Sequence, residues 1–401
     1  MPVPRAGMLF APAAPPPGTG REGRGTVKLH AVELVRLELP LAVALATSAG
    51  EHAVRPLVLV RVITDSGEGY GECEALAEPI YTEEYADGAA RVLADHLVPR
   101  LLAGGPLEQG CPAVEGLERL RPIRGQRMAK AAVEMALLDA WLRAEGRSLA
   151  AFLGATNRRV PAGATVGIAP TAEVVARAAE AAAAGYRRVK LKIGPGHDLE
   201  PLRAVRAELP ALALAADANG AYRLDHPEDR RALELIDGLG LAALEQPLAA
   251  EDLAGHAELA ASLATPVVLD ESIADEKDLE AALALGACDG VSLKSARLGG
   301  LLAACRVHDR CLAVGVRLAA GGMLESGLGR AASLALAARS GFDLPGDLGG
   351  SERYFVPDLT AAHLVVDGEL AVPDGPGLGV EPRPDVLAAA RTGSELIRPA
   401  S

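Results

Sequence analysis

Five short apolar runs in the second half of this chain each end at a charged residue, and these charges recur at nearly equal intervals. Lys190-Leu191-Lys192, Asp217-Ala218-Asn219, Glu245-Gln246-Pro247, Asp270-Glu271-Ser272 and Lys294 close runs at 188–193, 212–216, 241–244, 266–269 and 290–293. From Lys192 the steps are 25, 28, 25 and 24 residues, the length of one strand, one helix and two loops. Such a period builds a (β/α) barrel. A charge ending each run then falls at the C-terminal end of a strand, where barrel active sites form. Helical spacing predicts helices over 172–184, 202–208, 229–238, 251–263, 277–285, 301–314 and 329–338, with the last of eight strands at 342–344.

Upstream, alternating runs at 28–39 and 57–64 and the turn Asp65-Ser66-Gly67-Glu68-Gly69 predict an antiparallel meander, followed by helices over 83–102 and 128–145. The reading is therefore an α+β cap over 27–155, a barrel over 156–350, and a Pro/Gly-rich segment over 351–401 that packs back on the cap. The end of that segment, 391–401, has no clear register. Residues 1–26, rich in Pro, Gly, Ala and Arg, read as a disordered tail, too interrupted by Pro for a signal-peptide core.

Composition narrows the function classes. Hydrophobic residues make up 50% of the chain and aromatics only 3%, so the core must be Ala, Leu and Val, which suits helices packed on a parallel sheet. A net charge of −13 without a basic run argues against nucleic acid and anionic membranes. No uncharged apolar stretch approaches the ~18 residues of a transmembrane helix. The five cysteines show no CxxC spacing, so neither a disulfide framework nor a zinc site is indicated and a reducing cytoplasm fits.

The strand-end residues carry the chemistry. Residues two apart on a strand share a face, so Lys190 and Lys192 both point inward if either does. Their mutual repulsion would lower the pKa of one, making it a base near neutral pH. A lone strand-end Asp is commonly a helix N-cap. Asp217, Glu245 and Asp270 at one-strand spacing point instead to hard oxygen ligands for a divalent cation, Mg²⁺ with Mn²⁺ as a substitute, since no His or Cys converges with them. Lys294, half the ring away from Lys192, would reach a substrate from the opposite face. A cation holding a small-molecule carboxylate acidifies its α-proton, and a lysine can remove it. Elimination follows if a leaving group is present, and reprotonation from the other face if not.

With these residues in place the chain resembles the enolase superfamily, in its muconate-lactonizing-like subgroup, over roughly 28–385. Arg127-Met128-Ala129-Lys130 leading into Glu134-Met135-Ala136, the string Gly321-Gly322-Met323-Leu324-Glu325-Ser326-Gly327-Leu328-Gly329-Arg330, and Leu344-Pro345-Gly346-Asp347 followed by Arg353-Tyr354 are similar to o-succinylbenzoate synthases of the branch that includes N-acylamino acid racemases. The resemblance implies a modified TIM barrel, (β/α)7β, under an α+β cap, with one Mg²⁺ on Asp217, Glu245 and Asp270. It implies Lys192 as the base in a lyase of menaquinone synthesis, also protonating the departing hydroxyl of 2-succinyl-6-hydroxy-2,4-cyclohexadiene-1-carboxylate, with Lys294 stabilising the enediolate. In the alternative, racemisation of N-succinyl or other N-acyl amino acids, the two lysines exchange roles. Lys190, Asn219 and Glu271 become supporting residues, and Thr165, Tyr81, Gly322 and Met323 substrate contacts. Relatives of this kind are commonly homo-oligomers.

Departures from the pattern touch the pocket, not the centre. Ala44-Leu45-Ala46-Thr47-Ser48-Ala49-Gly50 stands where relatives carry Pro-Phe-Arg-Thr-Ser-Phe-Gly, Ser292 and Ser295 bracket Lys294 where Asn and Pro are usual, and Thr165 replaces a common Ser. A non-catalytic barrel would be expected to have lost a ligand or a lysine, and none is lost.

Overall fold

The computed structural model describes residues 26–47, 50–107 and 110–400, and the side chains of these except in 43–52. The tail expected over 1–26 lies, apart from Thr26, outside the described residues, as do the side chains of the altered 44–50 segment.

Strands β1 (Leu29–Thr47), β2 (Gly50–Thr64) and β3 (Gly67–Cys73) form the expected antiparallel meander. Five helices follow: α1 (Ala86–Val92), α2 (Val98–Ala103), α3 (Pro112–Leu120), α4 (Arg127–Ala144) and α5 (Leu149–Leu153). The single helix expected over 83–102 is α1 and α2 joined by a π turn at Leu93–Leu97. Pro99, which has no N–H for the helical ladder, lies in the first turn of α2. Helix α4 carries apolar residues on nearly every face and is buried for most of its length. It lies directly on β3, because a Cβ at Gly69 would strike the Ala136 carbonyl and the Ala140 amide, and one at Gly71 the Ala132 carbonyl.

After the short β4 (Arg159–Pro161) the chain alternates: β5 (Gly163–Val166), α6 (Thr171–Ala183), β6 (Arg188–Lys192), α7 (Leu199–Glu208), β7 (Ala213–Asp217), α8 (Pro227–Asp237), β8 (Leu244–Glu245) and α9 (Leu253–Ser262). The series continues with β9 (Val267–Leu269), α10 (Glu276–Leu285), β10 (Gly290–Leu293), α11 (Leu301–Val314), β11 (Arg317–Ala320) and α12 (Gly327–Ala337). β5 to β11 lie side by side in chain order, all parallel, as the spacing predicts. Helix starts differ by two or three residues where an N-cap was not used in the reading: the Asp198 carboxylate accepts from Leu199 N (2.5 Å), and Ser326 Oγ from Leu328 N (3.2 Å).

The eighth strand expected at 342–344 is a single bridge, Phe342 to Leu318. The segment still closes the barrel: Leu344 N donates to Leu318 O, Asp347 N to Ala320 O, and Gly163 N to Leu348 O. Pro345 interrupts the ladder because it has no N–H. Gly163 and Gly346 face each other so closely that a Cβ on Gly163 would overlap the Gly346 carbonyl.

Beyond the barrel come β12 (Val365–Val366), β13 (Glu369–Ala371), α13 (Pro384–Ala390) and β14 (Arg391–Ile397). β14, in the stretch without legible register, pairs antiparallel with β1, Val32 opposite Ile397. The cap grips the barrel through buried carboxylates. Glu134 of α4 accepts the Leu301 and Leu302 amides at the start of α11, and Glu72 of β3 accepts Ser326 N (2.8 Å), Ser326 Oγ and Gly329 N (3.2 Å) at the start of α12. Both act as N-caps supplied from another domain, using the anion preference of a helix N-terminus. Arg55 of β2 donates to Leu324 O (3.1 Å) beside them.

Candidate active site

Lys192, Asp217 and Glu245 are the last residues of β6, β7 and β8, and Asp270 and Lys294 follow β9 and β10 by one residue. The structure therefore brings the sequence-derived residues to one mouth of the barrel. Lys190 is buried, 4% exposed, and is surrounded by acceptors: Glu245 Oε1 and Oε2 at 2.9 and 3.0 Å, Asp217 Oδ2 at 3.2 Å and Asp347 Oδ2 at 2.9 Å. Lys192, 31% exposed at its side chain, donates to Asp217 Oδ2 (2.7 Å) and Asn219 Oδ1 (2.6 Å). On the far side Lys294 Nζ donates to Asp270 Oδ2 (2.7 Å) and to the Tyr81 hydroxyl (3.1 Å), with the Tyr81 ring 4.7 Å away. Lys192 and Lys294 stand four strands apart.

Charge balance sets the protonation states. Burial opposes the charge of Lys190, but Asp347, Glu245 and Asp217 outweigh it and hold the ammonium well above its ordinary range. The expectation that repulsion would lower one lysine of the pair is thus not met at Lys190, because three carboxylates lie within 3.2 Å of its ammonium. Burial likewise opposes Lys294, and Asp270 raises it well above the usual value. Asp217 stays below the carboxylate range despite its burial, through Lys190 and Lys192. Glu245 goes the other way, pushed up to about 8 by burial and, against the relief from Lys190, by Asp217 and Asp270.

Supporting contacts hold the ends of these strands. Asn219 donates from Nδ2 to Glu271 Oε1 (2.7 Å) and from its amide to Asp217 Oδ1 (3.1 Å), so it bridges the lysine, the carboxylate and Glu271. Glu271 Oε2 is buried without a partner among the described residues. Asn219 and Gln246 sit at φ of +44° and +39°, a left-handed backbone that non-glycine residues adopt at some cost and that clusters at functional sites. Thr165 lies in register with Lys190 on the neighbouring strand, and Met323 packs partly buried against the main apolar cluster. Gly322 donates its amide to Asp347 Oδ1 (2.7 Å).

Three participants were given no role from the sequence, although Gln246 stands in the string Glu245-Gln246-Pro247 and Asp347 in Leu344-Pro345-Gly346-Asp347. Asp347 stands in the barrel-closing segment. Arg297, one turn after Lys294, pairs its Nη2 with Asp270 Oδ1 (2.9 Å). Gln246 clamps two strand ends, accepting Asp270 N (2.9 Å) and donating to Ser272 Oγ (2.7 Å). Gln246 follows Glu245 directly, and that adjacency was the one available signal.

Among the described residues no three His, Cys, Asp or Glu side chains are gathered into a ready cation cage. The oxygens of Asp217, Glu245 and Asp270 are taken instead by Lys190, Lys192 and Lys294, with Arg297, Tyr81 and the Asn219 amide on the remaining aspartate oxygens. No helix among the described residues is long and apolar enough to cross a membrane.

Comparison with known proteins gives the same outline. Residues 27–154 match the model of the mandelate racemase / muconate lactonizing enzyme N-terminal domain, and 173–386 the enolase C-terminal domain-like model. An N-succinylamino acid racemase of Amycolatopsis is 46% identical over 91% of this chain and 98% of its own. An o-succinylbenzoate synthase of Geobacillus kaustophilus is 40% identical over 88% and 94%. A solved enolase-superfamily structure from Listeria innocua superposes with a TM-score of 0.87 at 37% identity, covering 93% of this chain and all of that one.

Proposed function

We propose that this chain, which belongs to the enolase superfamily, is a Mg²⁺-dependent lyase that dehydrates 2-succinyl-6-hydroxy-2,4-cyclohexadiene-1-carboxylate to o-succinylbenzoate. The observation that carries the reading is the pair of lysines, Lys192 and Lys294, facing one mouth from strands four apart with a carboxylate triad between them. Asp217, Glu245 and Asp270 suit a hard divalent cation: all are oxygen donors, all are buried, and they end or follow three adjacent parallel strands. Held there, the cation would supply positive charge beside the substrate carboxylate and acidify its α-proton.

Lys192 is the group that moves the proton. Its ammonium is anchored by Asp217 and Asn219 yet open to the mouth. In the neutral form Nζ takes the proton from C1 and returns it to the hydroxyl leaving C6, so that C1–H and C6–O break, a ring double bond forms and water departs. Lys294, buried and bound to Asp270, stays charged and faces the developing anion. Tyr81 from the cap shields that lysine, accepting from its Nζ and donating to Asp270 Oδ2 (3.0 Å).

A second reading, racemisation of N-succinyl or other N-acyl amino acids by proton transfer between the same lysines, is favoured by the 46% and 42% identical relatives that carry a racemase name, from Amycolatopsis and Thermus thermophilus. The test is loss of the diene absorbance by purified protein with Mg²⁺, with Lys192→Ala as control, beside α-proton exchange of N-succinyl amino acids in D₂O. Diene loss that vanishes in the variant supports the lyase. No diene loss with efficient exchange replaces it by the racemase, and neither activity in folded, Mg²⁺-loaded protein rejects both.

A further inference from the structure

We infer that Asp347 is a positioning residue that keeps Lys190 from neutralising the carboxylate triad, and thereby sets the affinity of the site for a divalent cation. The inference rests on the metal-dependent reading above. Its basis is the ring of acceptors around Lys190. One ammonium, 4% exposed, is shared among Glu245, Asp217 and Asp347, with Asp347 Oδ2 at 2.9 Å, as close as Glu245 Oε1 and closer than Asp217 Oδ2 at 3.2 Å. Asp217 and Glu245 are candidate cation ligands; Asp347 enters from the closing segment beyond β11, away from the triad's strand ends.

The charge count shows what Asp347 contributes. With every acid ionised, as a bound cation requires of its ligands, Asp217, Glu245, Asp270, Glu271 and Asp347 face Lys190, Lys192, Lys294 and Arg297, one more acid than base. Without the Asp347 carboxylate the count is even, and the whole charge of Lys190 falls on Asp217 and Glu245. A divalent cation would then have to displace a lysine that has nowhere else to go. With Asp347 present the lysine keeps a buried acceptor when the other carboxylates turn to a cation, so the ammonium is not left unpaired in the core.

The geometry also provides a variant. Asp347 Oδ1 accepts the Gly322 amide at 2.7 Å, and in Asp347→Asn an amide oxygen can keep that bond while the charge is removed and an amide donor, which cannot accept from Lys190, takes the place of Oδ2. A residue that merely pinned the Gly321–Met323 loop would therefore be largely spared by this change.

The experiment is calorimetric titration of the full-length apo protein with MgCl₂, without substrate, at pH 8. Wild type is expected to bind, and Asp347→Asn, folded by circular dichroism, to bind ~10–100-fold more weakly, the usual effect of losing a partner behind a metal ligand. The same substitution in a Lys190→Met background is expected to have little effect, since the inference routes it through that lysine. Should Asp347→Asn fail to fold, Asp347→Ser removes the same charge with a smaller side chain and is expected to lose affinity alike. Unchanged Mg²⁺ affinity in a folded variant, or an equal loss with and without Lys190, overturns the inference. A wild type that binds no Mg²⁺ overturns the metal-dependent reading itself, and this inference with it.

Discussion

Gly321→Ala tests whether the placement of Lys294 is rate-determining. A Cβ built on Gly321 lies 2.8 Å from Lys294 Cε, 2.8 Å from Lys294 Cγ and 2.8 Å from Ser292 Oγ. Ordinary contact begins at 3.4 Å, so something must move by about 0.6 Å. The lysine cannot yield freely, because its Nζ is fixed by Asp270 at 2.7 Å and by Tyr81 at 3.1 Å. A displacement approaching 1 Å at a reacting group costs up to ~10²-fold in rate, so kcat should fall roughly 10- to 100-fold, or about 1.4–2.7 kcal/mol of barrier. Overpacking of this kind also costs about 1–3 kcal/mol of stability, a few degrees in melting temperature for a chain of this size. For the racemase reading, in which both lysines move protons, the informative assay is α-proton exchange of each enantiomer of an N-succinyl amino acid in D₂O. Exchange on the Lys294 face should fall while exchange on the Lys192 face persists. Folded Gly321→Ala protein that exchanges both enantiomers at wild-type rates would refute the argument.

Lys192→Ala should abolish turnover and exchange on its own face while Mg²⁺ still binds by calorimetry; wild-type turnover would remove Lys192 from the mechanism. Tyr81→Phe keeps the ring over Lys294 but removes the hydroxyl shared with Asp270, so kcat should drop by about tenfold with little change in melting temperature, at the ~1–1.5 kcal/mol typical of one hydrogen bond; an unchanged kcat would show that the bond has no part in turnover. Burial pushes Glu134 up to about 7 from 4.5, partly offset by the Leu301 and Leu302 amides, so between those values the native state binds more protons than the unfolded one. Stability from this group is present below pH 4.5 and falls as pH rises towards 7, by on the order of 3 kcal/mol. Melting temperatures from pH 4.5 to 8 should therefore decline less steeply in Glu134→Gln than in wild type, and parallel curves would contradict the assignment.

Which parts were legible follows from what a local pattern can encode. Polar residues ending apolar runs at a fixed period are visible in one dimension, so Lys192, Asp217, Glu245, Asp270 and Lys294 could be named before any coordinates. The helices between them were legible within a turn, since the same period that buries Leu202 and Val205 or Leu279 and Ala282 writes itself into the sequence. Asp347 was visible only within the Leu344-Pro345-Gly346-Asp347 string and its role was not, because its partner Lys190 is distant in sequence and the closing segment, broken by Pro345 and Gly346, has no period. Glu72 and Glu134 have the same character: each serves a helix of another domain, and only for Glu134 did isolation among apolar neighbours hint at burial. β14 was opaque for a different reason. It is an edge strand with mostly exposed side chains, so no alternation marks it.

That edge strand has a consequence for how the chain assembles. Ile397 pairs with Val32, so the sheet of the cap is finished by residues made more than three hundred positions after it was begun. In topological terms the barrel is an insertion into the domain that covers it. Until the insertion has folded and returned the chain, the outer edge of β1 is bare, with an unpaired row of amides and carbonyls backed by Leu34, Leu37 and Leu39. A nascent or thermally opened molecule offers this edge to a second copy, which makes removal of 391–397 a route to aggregation from a site remote from the chemistry.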